Sequence, residues 1–169
     1  MTTLDALNAA DEASFVTKLG DIFEHSPWIA ARAWRARPFA SVAALHATMC
    51  AVVSAATRDE QVALIAAHPD LVGRAALAGT LTPASRQEQA SAGLDRLVPE
   101  EIETFATLNS LYRARFGFPF VICVRENRKA AILEGMRTRV RNARETEIAT
   151  ALGEIAKIAR LRLDGTVRA

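Results

Sequence analysis

The chain has 169 residues, of which 50% are hydrophobic and 24% are charged, and its formal net charge is +2. This length allows a domain to bury a core without disulfides or metal ions, and the composition is that of a globular rather than a disordered protein. The charge excess is too small to indicate a nucleic-acid or membrane partner. We therefore expect a single domain over residues 1–169.

Cysteine usage and the chain termini bear on the compartment. Cys50 and Cys123 form no CxxC pair, so neither a disulfide framework nor a zinc site is indicated. The N-terminal residues lack the basic start and apolar run of a signal peptide, and no apolar run approaches the roughly 18 residues that a membrane helix needs. The C-terminus carries no peroxisomal address. These features predict a cytoplasmic protein that does not enter a membrane.

Helical patterns fill the first part of the chain. Apolar residues recur at spacings of three and four after each of four start signals. The predicted helices are one opened by Asn8 and Asp11, one from Ser26 to about Arg37, one opened by Ser41, and one opened by the capping box of Thr57 and Glu60. The last of these ends near His68, because a proline disfavours helix in the residue before it.

Four further helices are predicted in the remainder. They run from Thr82 and Pro83 towards Gly93 or Leu97, from Pro99 to Gly117, from Asn127 with apolar residues as far as Val140, and from Asn142 through about Leu163. The stretch from Asp70 to Thr80 is predicted as an irregular connection or a broken helix. Residues 118–124 form the only continuous aromatic and β-branched run, and Pro119 argues against a sheet. We predict an all-α fold of seven to eight helices with one buried extended segment.

His68 is the most informative single residue. A helix end joined to a proline holds an imidazole more rigidly than a loop does, as a catalytic histidine requires. A lone histidine beside a proline is also often a structural or capping group. The residues alone leave both roles open.

Glu88 offers two interpretations as well. It follows Ser85 by three residues, so the two side chains can form a capping box that only satisfies helix-terminal amides. If the helix instead starts at Thr82 and Pro83, Glu88 lies in the second turn and is available for another use.

The last predicted helix places an arginine among apolar residues. Ile148, Leu152, Ile155, Ala159 and Arg162 share one stripe. A guanidinium on this side needs an anionic partner, either a protein carboxylate or an acidic substrate. Its place near the helix end also allows it to reach solvent or to balance the helix dipole. Arg160 points away from the stripe and is predicted to be a solvated charge.

Other motifs are missing or ambiguous. His25 and His46 pair with no residue at a metal-ligand spacing, so we predict no metal site, and no nucleotide-binding or serine hydrolase motif occurs. A basic cluster of Arg137, Arg139, Arg141 and Arg144 supports an alternative, a helical binding module for an anionic partner. No aromatic residue lies between these arginines, as a nucleic-acid site would require for base stacking. A basic cluster of this kind is also typical of a solvated helix face.

Five separated segments together resemble one known family. They are Phe23 to Trp28 (FEHSPW), His68 to Leu71 (HPDL), Glu88 to Leu94 (EQASAGL), Phe116 to Val124 (FGFPFVICV) and Ile155 to Leu163 (IAKIARLRL). The resemblance covers nearly the whole chain and is to the 2-oxo-4-hydroxy-4-carboxy-5-ureidoimidazoline (OHCU) decarboxylases. It implies an all-helical homodimer without metal or organic cofactor that converts OHCU into (S)-allantoin and CO2 in uric acid degradation.

The resemblance also implies roles for individual residues. His68 and Glu88 match the family's catalytic histidine and glutamate. The substrate-contacting positions that match are Pro69, Ser85, Gln89, the backbone of Phe120, Val121, Ile122, Cys123 and Val124, and Arg162. A related ureide substrate is a further enzymatic alternative.

Overall fold

The structure is a computed structural model that describes residues 1–168, and it confirms the all-α prediction. Ten α-helices lie within these residues: α1 (Leu4–Ala9), α2 (Glu12–Leu19), α3 (Pro27–Trp34), α4 (Val42–Ser54), α5 (Arg58–Ala66), α6 (Arg74–Leu77), α7 (Pro83–Ser91), α8 (Pro99–Phe116), α9 (Lys129–Arg139) and α10 (Arg144–Thr166). None of the helices in this described part combines the length and apolar character that crossing a bilayer requires. The remaining regular elements are a 3-10 turn (Val124–Glu126) and two short strands.

Local capping signals fix most helix starts. The Asp11 carboxylate accepts a hydrogen bond from the Ser14 main-chain nitrogen at 2.7 Å and opens α2. At α5, the Thr57 side chain accepts from the Glu60 nitrogen at 3.2 Å, and the Glu60 carboxylate accepts from the Thr57 nitrogen at 2.9 Å. The capping box predicted from Thr57 and Glu60 is thereby confirmed.

Two short helices lie beyond the eight segments that the sequence pattern predicts. These are α1 and α6, and neither is long enough to show a repeating apolar stripe. Asn8 is not a helix start, because it lies inside α1 and exchanges hydrogen bonds of 2.9 and 2.8 Å with the backbone of Phe39. Asn142 likewise does not start the last helix, because α10 begins two residues later at Arg144, and the Asn142 amide donates to Glu147 at 2.9 Å.

The chain divides into two compact units, and the prediction of a single domain stays a prediction. The first unit contains residues 1–67 and the chain from residue 156 onward. Its strands β1 (Thr2–Thr3) and β2 (Val167–Arg168) pair in parallel, which no sequence signal predicted. Its core consists of fully buried apolar side chains that include Leu7, Phe15, Leu19, Ile29, Leu45, Met49, Leu64 and Ile65.

The second unit, residues 68–155, is organised around Tyr112 of α8. The Tyr112 ring lies with its centroid 4.6 Å from that of Phe116 and 5.4 Å from that of Phe120. Gly117 ends α8 with φ +78°, a left-handed conformation that glycine adopts without strain. The chain then runs extended through residues 118–123 with most of its side chains buried, which confirms the buried extended segment.

Candidate active site

His68 lies two residues beyond the end of α5 and is 6% exposed. The helix ends at Ala66, as expected from the effect of Pro69 on the residues before it. His68 is thus a buried imidazole at the start of a constrained turn. Burial of a titratable side chain beside a rigid turn is compatible with the predicted catalytic role.

Gln89 of α7 holds the turn that follows His68. Its Oε1 accepts a hydrogen bond from the Val72 main-chain nitrogen at 3.1 Å, and its Nε2 donates to the Asp70 carbonyl at 3.4 Å. Val72 has φ +52°, a left-handed conformation that is rare for a β-branched residue. The turn is therefore kept in a strained shape by a side chain that adjoins Glu88.

Two side chains of α8 hold the same turn from another direction. Asn109 donates to the Leu71 carbonyl at 2.8 Å, and Arg113 Nε lies 3.0 and 2.9 Å from the two carboxylate oxygens of Asp70. A cavity of about 1130 Å³ opens here, with Asp70, Asn109 and Arg113 in its wall. Of the predicted site residues, Pro69 alone lines this cavity in the described part of the chain.

Helix α7 starts at Pro83, which decides between the two interpretations of Glu88. Thr82 is the N-cap, and its side chain accepts from the Ser85 main-chain nitrogen at 3.2 Å. Glu88 therefore lies in the second turn and does not cap the helix. Ser85, Glu88 and Gln89 share one helix face; Ser85 and Gln89 are 4% and 6% exposed, and Glu88 is half-buried.

The extended segment offers backbone groups for binding. Arg139 donates to the Val121 carbonyl at 2.9 Å, and the Cys123 nitrogen donates to Glu154 Oε2 at 2.8 Å. The main-chain nitrogens of Val121 and Ile122 donate no hydrogen bond within residues 1–168. Burial raises the pKa of the Cys123 thiol, so the thiol is not an activated nucleophile.

The structure places most of the predicted site residues in one compact unit. His68, Pro69, Ser85, Glu88, Gln89 and residues 120–124 all belong to the unit of residues 68–155. Gln89 joins α7 to the turn after His68, and α7 also packs against the 3-10 turn that follows the extended segment. The turn after His68 and the 3-10 turn, which are far apart in the sequence, thus both contact α7.

Arg162 belongs to the other unit, where its partner is a protein carboxylate. Its side chain is 7% exposed, which confirms that it faces inwards, and its Nη1 lies 2.8 Å from Glu24 Oε2. Nη1 also donates to the Asp21 carbonyl at 3.3 Å. Glu24 was not predicted as a partner, because a carboxylate in an irregular turn has no periodic signal. The substrate-binding role of Arg162 stays a prediction.

A second buried carboxylate, Glu147, was also missed. It is fully buried and accepts hydrogen bonds from the Tyr112 hydroxyl and from Arg139 Nε and Nη2, the last two at 2.8 and 2.5 Å. Burial and the hydrogen bond to Glu147 raise the pKa of Tyr112 far above its usual range. The available signal was the spacing of Glu147, Ala151 and Glu154 beside the apolar stripe of α10.

These contacts change the interpretation of the basic cluster. The Arg139 side chain is 13% exposed and turns towards Glu147, while Arg137, Arg141 and Arg144 are exposed. The basic surface patch suggested for an anionic partner therefore loses one of its four arginines. Within residues 1–168, no group of three or more His, Cys, Asp or Glu side chains is arranged to hold a metal ion.

Comparison with known proteins places these motifs in a family. Residues 8–164 match the family model described as OHCU decarboxylase. The chain is 48% identical to the OHCU decarboxylase of Haloferax volcanii over 161 residues, covering 95% of this chain and 94% of that protein. It is 44% identical to the OHCU decarboxylase of Halalkalicoccus jeotgali over 162 residues, covering 96% of this chain and 90% of the relative.

A solved structure has the same fold. The crystal structure of an (S)-allantoin synthase superposes with a TM-score of 0.78 at 29% identity and covers 99% of this chain. This chain spans about half of that longer chain, 54% of its length. With the family model matching most of the sequence, these likenesses show that the chain belongs to the OHCU decarboxylase family.

Proposed function

We propose that this chain is a carboxy-lyase that converts OHCU into (S)-allantoin and CO2 during uric acid degradation, without a metal or organic cofactor. The observation that carries the proposal is the pair of hydrogen bonds between the Gln89 side chain and the backbone of Asp70 and Val72. Gln89 follows Glu88 directly, and Asp70 comes two residues after His68. These bonds hold the two segments that carry the proposed catalytic residues against each other.

The substrate itself supplies the chemistry that a cofactor would otherwise provide. One ring carbon of OHCU carries both a carboxylate and a hydroxyl, and it adjoins a ring C=N bond. When the bond to the carboxylate breaks, its electron pair moves towards the C=N, and CO2 leaves. The ring nitrogen takes up a proton, and the adjacent ring carbon takes up another on one face while the hydroxyl loses its proton and becomes the ring carbonyl. The protein has to orient the carboxylate, exclude water and direct that proton.

His68 is the proposed proton carrier. Its imidazole is buried and fixed by the proline turn, so it can exchange a proton with the substrate hydroxyl or with the developing carbanion from one side only. Glu88 orients the hydroxyl and the ureido edge. The main-chain nitrogens of Val121 and Ile122, which donate to no acceptor within residues 1–168, bind the amide-like edge of the ring.

The remaining predicted contacts belong to the same proposal. Pro69, Ser85 and Gln89 contact the substrate, and Phe120, Cys123 and Val124 contribute through their backbone. Gln89 retains hydrogen-bonding capacity beyond its two loop contacts, because a carboxamide has two donor protons and two acceptor lone pairs. Arg162 binds the negative charge of the substrate, although its described anionic partner is Glu24.

The test is a stereochemical assay of site variants. The variants His68→Ala and Glu88→Gln should fold normally and should no longer form optically active allantoin. Product formation from freshly generated OHCU is measured by circular dichroism. Gln87→Ala is the matched control, because Gln87 is an exposed neighbour on α7. OHCU also decays spontaneously, so handedness of the product rather than loss of substrate is the readout. Near-full stereospecific rates in both site variants would contradict the assignment.

We further propose that the protein is a cytoplasmic homodimer. Its two cysteines are free thiols, as proteins in reducing compartments commonly have. In the 68–155 unit, Leu77, Val98 and Leu111 are large apolar side chains with 64%, 54% and 55% exposure, which an interface would cover. Light scattering of the purified protein tests the dimer, and cell fractionation tests the compartment. A monomer at micromolar concentration would contradict the first proposal.

A further inference from the structure

Arg139 touches the extended segment and a buried carboxylate at once. Its Nη1 donates to the Val121 carbonyl at 2.9 Å, and its guanidinium carbon lies 4.3 Å from the centroid of the Phe120 ring. On the other side, Nε and Nη2 donate to one oxygen of Glu147 at 2.8 and 2.5 Å. A planar guanidinium held at three places has little freedom, so it fixes the position of the Val121 carbonyl.

Glu147 is placed to hold Arg139. It is fully buried, and it also accepts from the Tyr112 hydroxyl and from the Asn142 amide at 2.9 Å. A buried ion pair adds little net stability compared with apolar packing, because both charges must be desolvated. What a fully hydrogen-bonded network of this kind provides is a defined geometry.

A second carboxylate holds the segment on the other side of Ile122. Glu154 Oε2 accepts from the Cys123 main-chain nitrogen at 2.8 Å. Glu147 and Glu154 are seven residues apart on α10, about two helical turns, so they share one face of the helix. The segment is thus held at the Val121 carbonyl and at the Cys123 nitrogen. The Ile122 nitrogen lies between these two points and the Val121 nitrogen lies just before them, and neither donates a hydrogen bond within residues 1–168.

We propose that Arg139, held by Glu147, is a positioning residue that orients the Val121 and Ile122 amides towards the substrate ring. Glu154 orients the same amides by accepting the hydrogen bond of the Cys123 nitrogen. The inference rests on the proposed function, because it assumes that these amides bind OHCU. Arg139 acts through the backbone of the segment and does not itself touch the reacting atoms.

Arg139→Lys is the most informative variant. Lysine keeps the charge but lacks the planar fork that spans Glu147 and Val121. We expect the KM for OHCU to rise about tenfold while kcat changes by less than about threefold, because mainly substrate binding is weakened. Arg137→Lys is the matched control, since Arg137 lies exposed on the same helix, and its KM should be unchanged.

Glu147→Gln and Glu154→Gln test the same idea without changing Arg139. Each glutamine keeps one acceptor oxygen, although Glu147→Gln leaves the Arg139 charge less compensated and should lower the melting temperature. Both variants should raise KM more than they lower kcat. A lower melting temperature with unchanged KM in all three variants would overturn the positioning role and leave the proposed function intact. A wild-type protein that forms no (S)-allantoin would overturn the proposed function itself.

Discussion

The main-chain nitrogen of Val72 donates to Gln89 Oε1 at 3.1 Å while Val72 itself has φ +52°. A left-handed conformation costs about 1–2 kcal/mol for a residue with a Cβ, so it persists only when its surroundings impose it. Gln89 supplies that restraint, and the Val72 side chain, 4% exposed, supplies another. The shape of the turn after His68 therefore depends on a residue of α7.

Replacing Gln89 should release this turn. In Gln89→Met the Val72 N–H loses its acceptor, and an unsatisfied buried donor costs about 1–3 kcal/mol of unfolding free energy. We also expect hydrogen exchange at the Val72 amide to accelerate, which NMR measures directly. Gln87→Met on the exposed side of α7 is the control. Equal unfolding free energies and equal exchange rates in the two variants would contradict the restraint.

The Glu24–Arg162 pair should show strong coupling. The two side chains are 2% and 7% exposed, so removing either one leaves a buried charge with less compensation. Glu24→Gln and Arg162→Met should each lower the unfolding free energy by about 3 kcal/mol, and the double variant should lose less than the sum. Urea unfolding of the four proteins measures the coupling.

The control for this cycle is on the same helix. Arg160 pairs with Asp164 at 2.9 Å, but both side chains are more than 40% exposed. Arg160→Met should therefore cost less than about 1 kcal/mol. If Arg162→Met lowers the unfolding free energy no more than Arg160→Met does, the buried pair contributes no more to stability than the exposed pair.

Replacing two glycines by alanine should change the unfolding free energy in opposite directions. A methyl group at Gly153 of α10 would meet no heavy atom within 4 Å beyond its chain neighbours and its own helix backbone, so Gly153→Ala should gain about 0.5–1 kcal/mol of unfolding free energy from helix propensity. Gly117 has φ +78°, where alanine is strained. Gly117→Ala should lose about 1 kcal/mol or more. Urea denaturation of both variants decides the point, and a shift of the same sign in both would contradict it.

Acid should weaken the start of α5 in a defined pH range. The hydrogen bonds from Arg32 and then from the Thr57 backbone lower the pKa of Glu60 from 4.5 to about 2. Because the folded pKa is depressed, the stabilisation is present above pH 4.5 and is lost as the pH falls towards about 2. The melting temperatures of wild type and Glu60→Gln should therefore differ most above pH 4.5 and converge near pH 2. A difference that stays constant over this range would contradict the assignment.

The helices that the sequence predicts best are those with local start signals. Asp11, Ser41, Thr57 and Thr82 each cap their own helix, and a cap involves residues only three positions apart. The pairing of β1 with β2 joins the two ends of the chain, so no local pattern could indicate it. Helix α1 was missed because it is too short for apolar residues to repeat, whereas α6 lies in the stretch from Asp70 to Thr80 that was predicted as an irregular connection or a broken helix.

The candidate site divides in the same way. The turn at His68 and the inward direction of Arg162 follow from Pro69 and from the apolar stripe of α10, both of which are visible in the sequence. The partner Glu24 could not be found, because its burial depends on a cation 138 residues further along the chain, and Glu147 was indicated only by its spacing on α10. Motif resemblance supplied the residue roles that periodicity alone left open.

The two carboxylates on α10 make this helix sensitive to its register. One inserted residue between Glu147 and Glu154 would rotate the later carboxylate by about 100° around the helix axis and shift it by about 1.5 Å. Glu154 would then face away from the Cys123 nitrogen while Glu147 still held Arg139. Point substitutions on the outer face of this stretch should accumulate freely during evolution, whereas single-residue insertions and deletions should be eliminated.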